Sequence, residues 1–424
     1  MSQATRILIA LAAGLAIGMA LAAFAPGPAL AGADWVQPIG TAWLNALRMT
    51  IVPLVVALLV TGIAATAEAA RASRVTGRAV VLILAVLWSS SAIGAAATLG
   101  LLELFPLGAG PAAALRATFE GAAPVGAVPS FAEFLSAIVP TNPVAAAAND
   151  AFLPLIVFTA SFAFAVTRLP DAPRRVLTDF FQALADAMLV LINWVLWLAP
   201  IGVGALAYVV GARAGTSALG ALVHYVLVVA SVGAIVWLGA WVVAWIGGGV
   251  GPARFTRAIL PAKAVALSTQ SSLASLPAML KGAERLGVPV SVAGVTLPLS
   301  VAIFRATGPA MNIAVALYVA HVFGVALGPT QIAAGIAAAA ITTMGAVSLP
   351  GQISFVSSIA PIAIAMGVPI EPLALLVAVE TIPDIMRTVG NVSMDVAVTA
   401  TVAKRSGASA DAATEADTLA AEGA

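Results

Sequence analysis

The chain has 424 residues, of which 62% are hydrophobic and 9% charged, with a formal net charge of +1 and no cysteine. Apolar runs of about 20 residues occur throughout, which excludes a soluble globular protein and predicts an all-α, multi-pass protein of the cell (inner) membrane. The near-neutral charge gives no reason to expect a nucleic acid partner, and the lack of cysteine excludes disulfides and thiolate metal sites.

The first apolar runs are separated by short polar connections. The run at 7–24 resembles a signal peptide in its flanks, but its length fits a first membrane span better. Further runs lie at about 43–68 and 79–104, and a Gly/Ala/Pro-rich external loop at 105–130 precedes a fourth region that ends near 167. Lysine and arginine cluster in alternate connections, and the positive-inside rule then predicts that both termini are cytoplasmic.

Two later segments do not read as simple spans. Residues 258–280 have basic residues near both ends and a polar middle at Ser268–Pro277, which predicts a hairpin that enters the membrane and returns. After a span at about 289–324, residues 330–366 contain a similar break at Gly345–Gly351, which predicts a second hairpin from the opposite side. Two such hairpins, each followed by a span, form an inverted repeat typical of secondary transporters.

The last apolar segment contains a regular row of polar residues. Glu380, Asp384, Arg387, Asn391 and Asp395 recur every three or four residues, which places them within roughly 80° on one face of a helix. Such side chains are costly inside a membrane and must face protein, water or ligand. The row therefore predicts the functional site.

Several short motifs resemble those of the dicarboxylate/amino acid:cation symporter family, in the family's order, over residues 5–405. The resemblance implies eight transmembrane helices plus two re-entrant helical hairpins, a homotrimer in the lipid bilayer, and an elevator mechanism. It implies a secondary active symporter for a small anionic substrate, an acidic amino acid or a C4-dicarboxylate, with Na+ or H+ as coupling ion and no other cofactor. The motifs are Leu47–Pro53, Ile138–Pro143 with Leu153–Phe158, Leu198–Val203, the two hairpin tips, and D-x-x-R-T-x-x-N-x-x-x-D in the last span.

The same resemblance divides the chain between a fixed scaffold and a moving transport domain. The expected ranges are 1–76 for scaffold spans 1 and 2, 77–104 for span 3 of the transport domain, 105–248 for the external loop, scaffold spans 4 and 5 and then span 6 of the transport domain (from about 217), 249–405 for the core of the transport domain, and 406–424 for a disordered cytoplasmic tail.

The last span is expected to supply much of the substrate site. The fork of donors on Arg387 matches a carboxylate in two-point contact, and the resemblance assigns it to the distal carboxylate of the substrate. Asp384 needs a cation when buried, and the resemblance assigns it to the substrate's amino group. Thr388 and Asn391 would complete the hydrogen bonds. The residues alone leave an internal alternative open, in which Arg387 pairs with Glu380 or Asp384 one or two turns away.

The hairpin tips are expected to contact substrate and to act as gates. Ser271 and Ser272 offer hydroxyls and free amides to a carboxylate at a helix start, although ordinary capping of a broken helix explains them equally. For the gating residues the alternative is an ordinary flexible loop. The expected gating residues are Ser275, Gly345, Pro350 and Gly351.

A sodium site is expected below the substrate. Asp395 and Asn391 look like its ligands, joined by Asn312 and the carbonyl of Gly308, because hard oxygen ligands suit Na+. The alternative is that Asp395 extends toward the cytoplasm.

Three departures from the family pattern affect the ion count. Ala314 occupies an aspartate position of the seventh span, Gln270 replaces an arginine of the first hairpin, with Ile385 at the alternative arginine position, and Arg305 lies inside the seventh span. We hypothesise that Arg305 supplies positive charge that offsets Glu380 or Asp384, so that fewer Na+ ions, or a proton, are coupled. The alternative is that Arg305 only reaches an aqueous crevice.

Other functions fit the sequence less well. A carrier for a different dicarboxylate or a neutral amino acid, with reduced cation coupling, is the first alternative. A channel is the second, although occluding hairpins disfavour it. An intramembrane enzyme is a remote third, because no H-E-x-x-H motif is present and neither histidine lies in the polar row.

Overall fold

A computed structural model describes residues 3–118, 139–149, 151–215, 217–344 and 351–407, and every regular element in these ranges is helical. The helices of the first half are α1 (Gln3–Phe24), α2 (Pro26–Arg48), α3 (Ile51–Ala72), α4 (Arg74–Leu104), α5 (Ala109–Thr118), α6 (Pro143–Ala148), α7 (Phe152–Val166), α8 (Asp171–Trp197) and α9 (Ala199–Ala214).

The second half begins with a long helix, α10 (Ser217–Val242), which continues as a π-helical turn at Val243–Gly247. A short helix, α17 (Leu373–Leu376), and a 3-10 turn at Val377–Val379 lead into the last helix, α18 (Thr381–Ser406). The helices between them are α11 (Pro252–Thr269), α12 (Ser272–Arg285), α13 (Val290–Ile303), α14 (Thr307–Phe323), α15 (Pro329–Thr343) and α16 (Gly351–Ala365).

The length and hydrophobicity of the helices agree with those of a multi-pass membrane protein. Within the described ranges, six helical stretches are long and apolar enough to cross a membrane by length and composition. Shorter apolar helices lie at Phe152–Val166, Ala199–Arg213 and Phe355–Ala365. The six stretches are Thr5–Phe24, Pro26–Ala70, Arg74–Leu104, Asp171–Trp197, Leu219–Gly247 and Val290–Phe323.

The first predicted hairpin contains a helix, a break and a second helix, and the described part of the second contains two helices. In the first, α11 and α12 pack against each other and meet at Gln270, whose φ of 51° is left-handed. This hairpin is longer than the predicted 258–280, and Pro277 lies inside α12 instead of forming the break. In the second, α15 and α16 pack together. Its tip, at 345–350, lies outside the described residues.

Three further expectations need correction. The run at 43–68 is only part of a longer stretch, since α2 begins at Pro26, where a connection was predicted. The Gly/Ala/Pro-rich segment after α4 contains the helix α5. The predicted span at 289–324 is interrupted at Phe304–Ala306, between α13 and α14, because Phe304 has extended backbone angles.

The polar row lies in the interior of the helix assembly. Helices α10 to α14 all pack against α18, as does α4. Because α18 is enclosed on most sides, nearly every residue from Pro383 to Ala403 is buried, polar residues included. A helix with a polar face at the centre of a membrane protein requires partners from the surrounding helices, and these partners define the site.

Candidate substrate and cation site

The break before α14 is joined directly to the middle of α18. The backbone N–H and the hydroxyl of Thr307 both donate to Asn391 Oδ1, at 2.9 and 2.8 Å. The same hydroxyl also lies 2.9 Å from the carbonyl oxygen of Arg387. Thr307 is the first residue of α14, so Asn391 accepts from an amide that has no partner within its own helix. A Cβ added at Gly390 would lie 2.4 Å from Thr307 Cγ2, which shows how closely the two segments approach.

Arg387 has internal partners at each of its nitrogens. Nη2 lies 2.7 Å from Glu380 Oε1, and Nε lies 3.6 Å from Asp384 Oδ1. Nη1 donates to Asn312 Oδ1 at 2.8 Å. All four residues are buried, Glu380 completely. The internal alternative raised by the sequence is therefore the arrangement in the structure. The role of Arg387 toward a substrate stays a prediction, as does that of Thr388, whose hydroxyl donates to the Asp384 carbonyl at 3.0 Å.

Two buried carboxylates have oxygens that accept no hydrogen bond within the described part of the chain. The oxygens without a hydrogen bond are Oδ1 and Oδ2 of Asp395 and Oε2 of Glu380. Asp395 and Glu380 are each 0% exposed. An ionised carboxylate is costly to bury without a cation or hydrogen-bond donors. The structure therefore has two positions, one directly before α18 and one within it, at which a cation or a proton would be stabilised.

The four residues expected to bind sodium have different surroundings. Asp395 fits a cation because both of its oxygens are without hydrogen bonds. The amide oxygens of Asn312 and Asn391 already accept from Arg387 and Thr307, respectively. Gly308 follows Thr307 in the first turn of α14, and its N–H donates to the Arg305 carbonyl at 2.9 Å. Binding of Na+ by all four would require both amides to change partners.

Arg305 lies on the break itself and is partly buried. Its charge acts on Asp384 and Asp395, two of the acidic residues of the row. The hypothesis that Arg305 offsets Asp384 stays a prediction, and Asp395 is a second acidic residue on which the charge of Arg305 acts. Ser90, from α4, donates to the carbonyl of the adjacent Ala306, which holds the break against a neighbouring helix.

The first hairpin tip has the geometry of a capped helix. Ser271 is the N-cap of α12, its hydroxyl accepting from Ala274 N at 3.2 Å, and Ser275 donates back to the Ser271 carbonyl at 2.9 Å. Ser272 is the first residue of α12 and is partly buried. Since α12 packs against α18, the tip belongs to the same assembly as the polar row. Of the second tip, Gly351 begins α16, whereas Gly345 and Pro350 lie outside the described residues.

Two members of the constellation were not predicted. Thr307 precedes a Gly-Pro pair, and that sequence could have indicated a helix start. Tyr225 is a fully buried residue of α10 that lies near Glu380, and its hydroxyl reaches no acceptor or donor at hydrogen-bond distance and angle in the described ranges. Nothing in the apolar sequence around Tyr225 distinguishes it from a packing residue.

Comparisons with known proteins agree with this architecture. The sequence model of the Sodium:dicarboxylate symporter family matches residues 4–405. The chain is 28% identical to the Proton/glutamate-aspartate symporter of Escherichia coli (strain K12), over 92% of this chain and 90% of that protein. It is also 28% identical to the Proton/sodium-glutamate symport protein of Bacillus subtilis (strain 168), covering 92% and 89%, respectively.

The chain is also similar, at the same percentage identity, to a dicarboxylate carrier. The chain is 28% identical to the C4-dicarboxylate transport protein 3 of Bradyrhizobium diazoefficiens, over 85% of this chain and 79% of that protein. These relatives are named as transporters, in agreement with the expectation that the chain is not an enzyme. With a buried polar row and a family match over nearly its whole length, the chain belongs to the sodium:dicarboxylate symporter family.

Proposed function

We propose that this protein is a secondary active symporter that carries an acidic amino acid or a C4-dicarboxylate across the cell membrane, driven by a Na+ or H+ gradient. The observation that carries the proposal is the buried guanidinium of Arg387, held between Glu380 and Asp384 beside a helix break. A guanidinium already paired with carboxylates can exchange one of them for a substrate carboxylate without becoming a buried, unpaired charge. The relatives named above transport glutamate, aspartate or C4-dicarboxylates according to their names.

Asp384 separates the two substrate classes. Its carboxylate lies near two guanidinium groups, Arg305 and Arg387. An amino acid would bring an ammonium group to this carboxylate, whereas a C4-dicarboxylate would not. Changing Asp384 to Asn should therefore weaken the uptake of aspartate much more than that of succinate. Equal losses for both substrates would contradict a contact between Asp384 and an amino group.

We infer that Asp395 holds a transported cation. Its buried, unpartnered oxygens support this role. Arg305 already brings a positive charge close to this carboxylate, and Ala314 stands where the family resemblance places an aspartate of a third sodium site. We therefore propose coupling to fewer than three Na+ ions. Measuring charge and Na+ flux per substrate in liposomes tests this. A stoichiometry of three Na+ would refute it, and a stoichiometry unchanged in Asp395→Asn would refute the role of Asp395.

We also propose the family's elevator arrangement in a homotrimer with cytoplasmic termini. The packing supports two groups of helices, since α1 and α2 both pack against α9, and α3 packs against α7 and α8. The proposed moving group consists of α4 and α10 to α18, which surround the polar row. In this arrangement the tips of the two hairpins contact substrate and open in turn. The first tip contains Ser271, Ser272 and Ser275, and the second contains Gly345, Pro350 and Gly351.

Uptake into proteoliposomes tests the proposed function. The purified full chain would be reconstituted and given labelled aspartate, glutamate, succinate, fumarate or serine, with a Na+ gradient, a pH gradient, both or neither. We expect saturable, gradient-dependent accumulation of at least one acidic substrate. Accumulation of serine alone would instead support the neutral amino acid alternative. Flux that is indifferent to both gradients would instead support a channel.

A further inference from the structure

We propose that Glu380 carries the coupling proton, and that its protonation releases Arg387 to bind the carboxylate of the substrate. The inference deepens the proposed function and rests on it. It assigns the proton to a residue outside the predicted sodium ligands, on the preceding turns of the same helix.

The surroundings of Glu380 suit a group that alternates between two protonation states. The side chain is 0% exposed, and only Oε1 has a partner among the described residues, Arg387 Nη2 at 2.7 Å. Oε2 accepts no hydrogen bond there. Tyr225, on α10, lies close enough to Glu380 for its hydroxyl to act on the carboxylate, although the two groups do not reach hydrogen-bond distance and angle in this structure. A phenol can donate to a carboxylate and accept from a carboxylic acid, so Tyr225 can serve both states.

The other charged and titratable groups around Glu380 are engaged elsewhere. Asp384, on the same helix, lies close to Arg305 as well as to Arg387, which favours its remaining an anion. From α14, Tyr318 packs edge to face against Tyr225 with ring centroids 5.3 Å apart. The Tyr318 hydroxyl donates to the Ala221 carbonyl at 2.8 Å and lies 3.2 Å from His224 Nδ1. When ionised, Glu380 therefore depends on one guanidinium, that of Arg387, whereas Asp384 lies near two.

The proton and the substrate are coupled through Arg387. A proton added to the Glu380 carboxylate converts it to a carboxylic acid, whose O–H donates to Tyr225 Oη. The ion pair with Arg387 is lost, and Arg387 keeps its bond to Asn312. The substrate carboxylate then takes the place of Glu380, so the guanidinium has the same number of carboxylate partners before and after. If Glu380 stayed ionised, an additional buried carboxylate would be left without a cation, which is strongly unfavourable.

The test compares Glu380→Gln with the wild type and with Glu284→Gln, a control at an exposed glutamate near the end of α12. Substrate affinity would be measured by isothermal titration between pH 5 and 9, and substrate-driven proton uptake by a dye inside liposomes. In the wild type and the control, we expect the dissociation constant to rise about tenfold per pH unit on the alkaline side, as linkage of one proton requires. In Glu380→Gln, we expect binding and substrate exchange to persist, with little dependence on pH and without proton uptake.

The outcomes distinguish this inference from the proposed function. If the wild type binds and transports no acidic substrate at any pH, the proposed function fails. If it transports one without taking up protons, or if Glu380→Gln keeps the pH slope, the inference fails alone. Should Glu380→Gln not fold, Tyr225→Phe provides the same decision. That variant removes only the hydroxyl, which favours the ionised carboxylate because a hydrogen bond to a charged acceptor is stronger than one to a neutral acid. The midpoint of its pH profile should therefore move to higher pH, whereas an unchanged midpoint would overturn the assignment.

Discussion

A buried arginine can bind an anion only if its charge is balanced both before and after the anion arrives. Arg387 meets this requirement because Glu380, Asp384 and Asn312 surround its guanidinium at distances of 2.7 to 3.6 Å. A lysine could not replace it, because a single ammonium lacks the planar fork that reaches three acceptors in different directions. At this scale, the site is a charge network whose members cannot be changed independently.

Removing Arg387 should expose this dependence. In Arg387→Ala, Glu380 becomes a buried carboxylate without its cation, which costs about 3–5 kcal/mol. We expect a markedly lower melting temperature and no binding of acidic substrates. The double variant Arg387→Ala/Glu380→Gln should recover much of the thermal stability without recovering binding, as measured by a thermal melt with and without ligand. A double variant no more stable than the single variant would contradict the coupling.

The polar row itself could be predicted from sequence because its spacing follows the helical repeat. The members of the site that lie in other helices could not. Thr307 bonds to Asn391 across 84 positions of sequence, and Tyr225 lies more than 150 positions before Glu380. Helix periodicity specifies which residues of one helix share a face, but it contains no information on which face of another helix packs against them.

At the scale of helices, α1 and α9 of the proposed scaffold pack with their backbones close together. Gly14 and Gly18 lie one turn apart on α1, and a Cβ added at either would lie 2.4 Å from a backbone oxygen of α9, those of Gly204 and Tyr208, respectively. Small residues at this spacing allow two membrane helices to approach closely, so that their backbones are in contact. The contact explains why α1 is held tightly along its length by another helix.

A substitution of Gly18 should separate the two helices. Alanine is favoured over glycine by about 1 kcal/mol inside a helix, so Gly→Ala is stabilising wherever a methyl group fits. A matched control is Gly100→Ala on α4, where nothing lies within 4 Å of the added Cβ. We expect Gly18→Ala to lower the melting temperature and Gly100→Ala to leave it unchanged or to raise it. Equal shifts of the same sign would show that the α1–α9 contact contributes little.

The helix breaks were only partly predictable. The polar tip of the first hairpin indicated a break, and the structure places it at Gln270 and Ser271. The break at Phe304–Ala306 was not predicted, because its neighbours continue an apolar run and Pro309 lies inside the helix that follows. Its cause is tertiary: Ser90 and Asn391 bind the backbone of Ala306 and Thr307, respectively, and so replace bonds that a continuous helix would make.

At the scale of the whole molecule, an ion pair among the described residues joins the two proposed bodies. Arg48, at the end of α2, lies 2.6 Å from Glu371, just before α17, and both side chains are about one-third exposed. In the proposed division, Arg48 belongs to the scaffold and Glu371 to the transport domain. An elevator movement would therefore have to break this pair, which stabilises the arrangement present in the structure.

Breaking the pair should change the transport rate more than substrate affinity. A partly exposed pair contributes at most about 1 kcal/mol, so Arg48→Ala should change the rate about two- to fivefold. The charge exchange Arg48→Glu/Glu371→Arg should return it toward the wild-type value. Arg213→Ala is the control, because Arg213 pairs with Asp34 at 2.9 Å within the scaffold. If Arg213→Ala changed the transport rate as much as Arg48→Ala, the result would argue against the proposed boundary between scaffold and transport domain.

In the proposed elevator mechanism, Arg305 would also determine how the moving group of helices responds to voltage. With every group ionised, the two guanidinium groups of Arg305 and Arg387 face three carboxylates, those of Glu380, Asp384 and Asp395, so the empty site carries one net negative charge. Each elementary charge that crosses the membrane field exchanges about 2.3 kcal/mol per 100 mV. An inside-negative potential would thus drive the empty carrier outward. Replacing Arg305 with Met should double the charge moved on that return step, measurable as a pre-steady-state current.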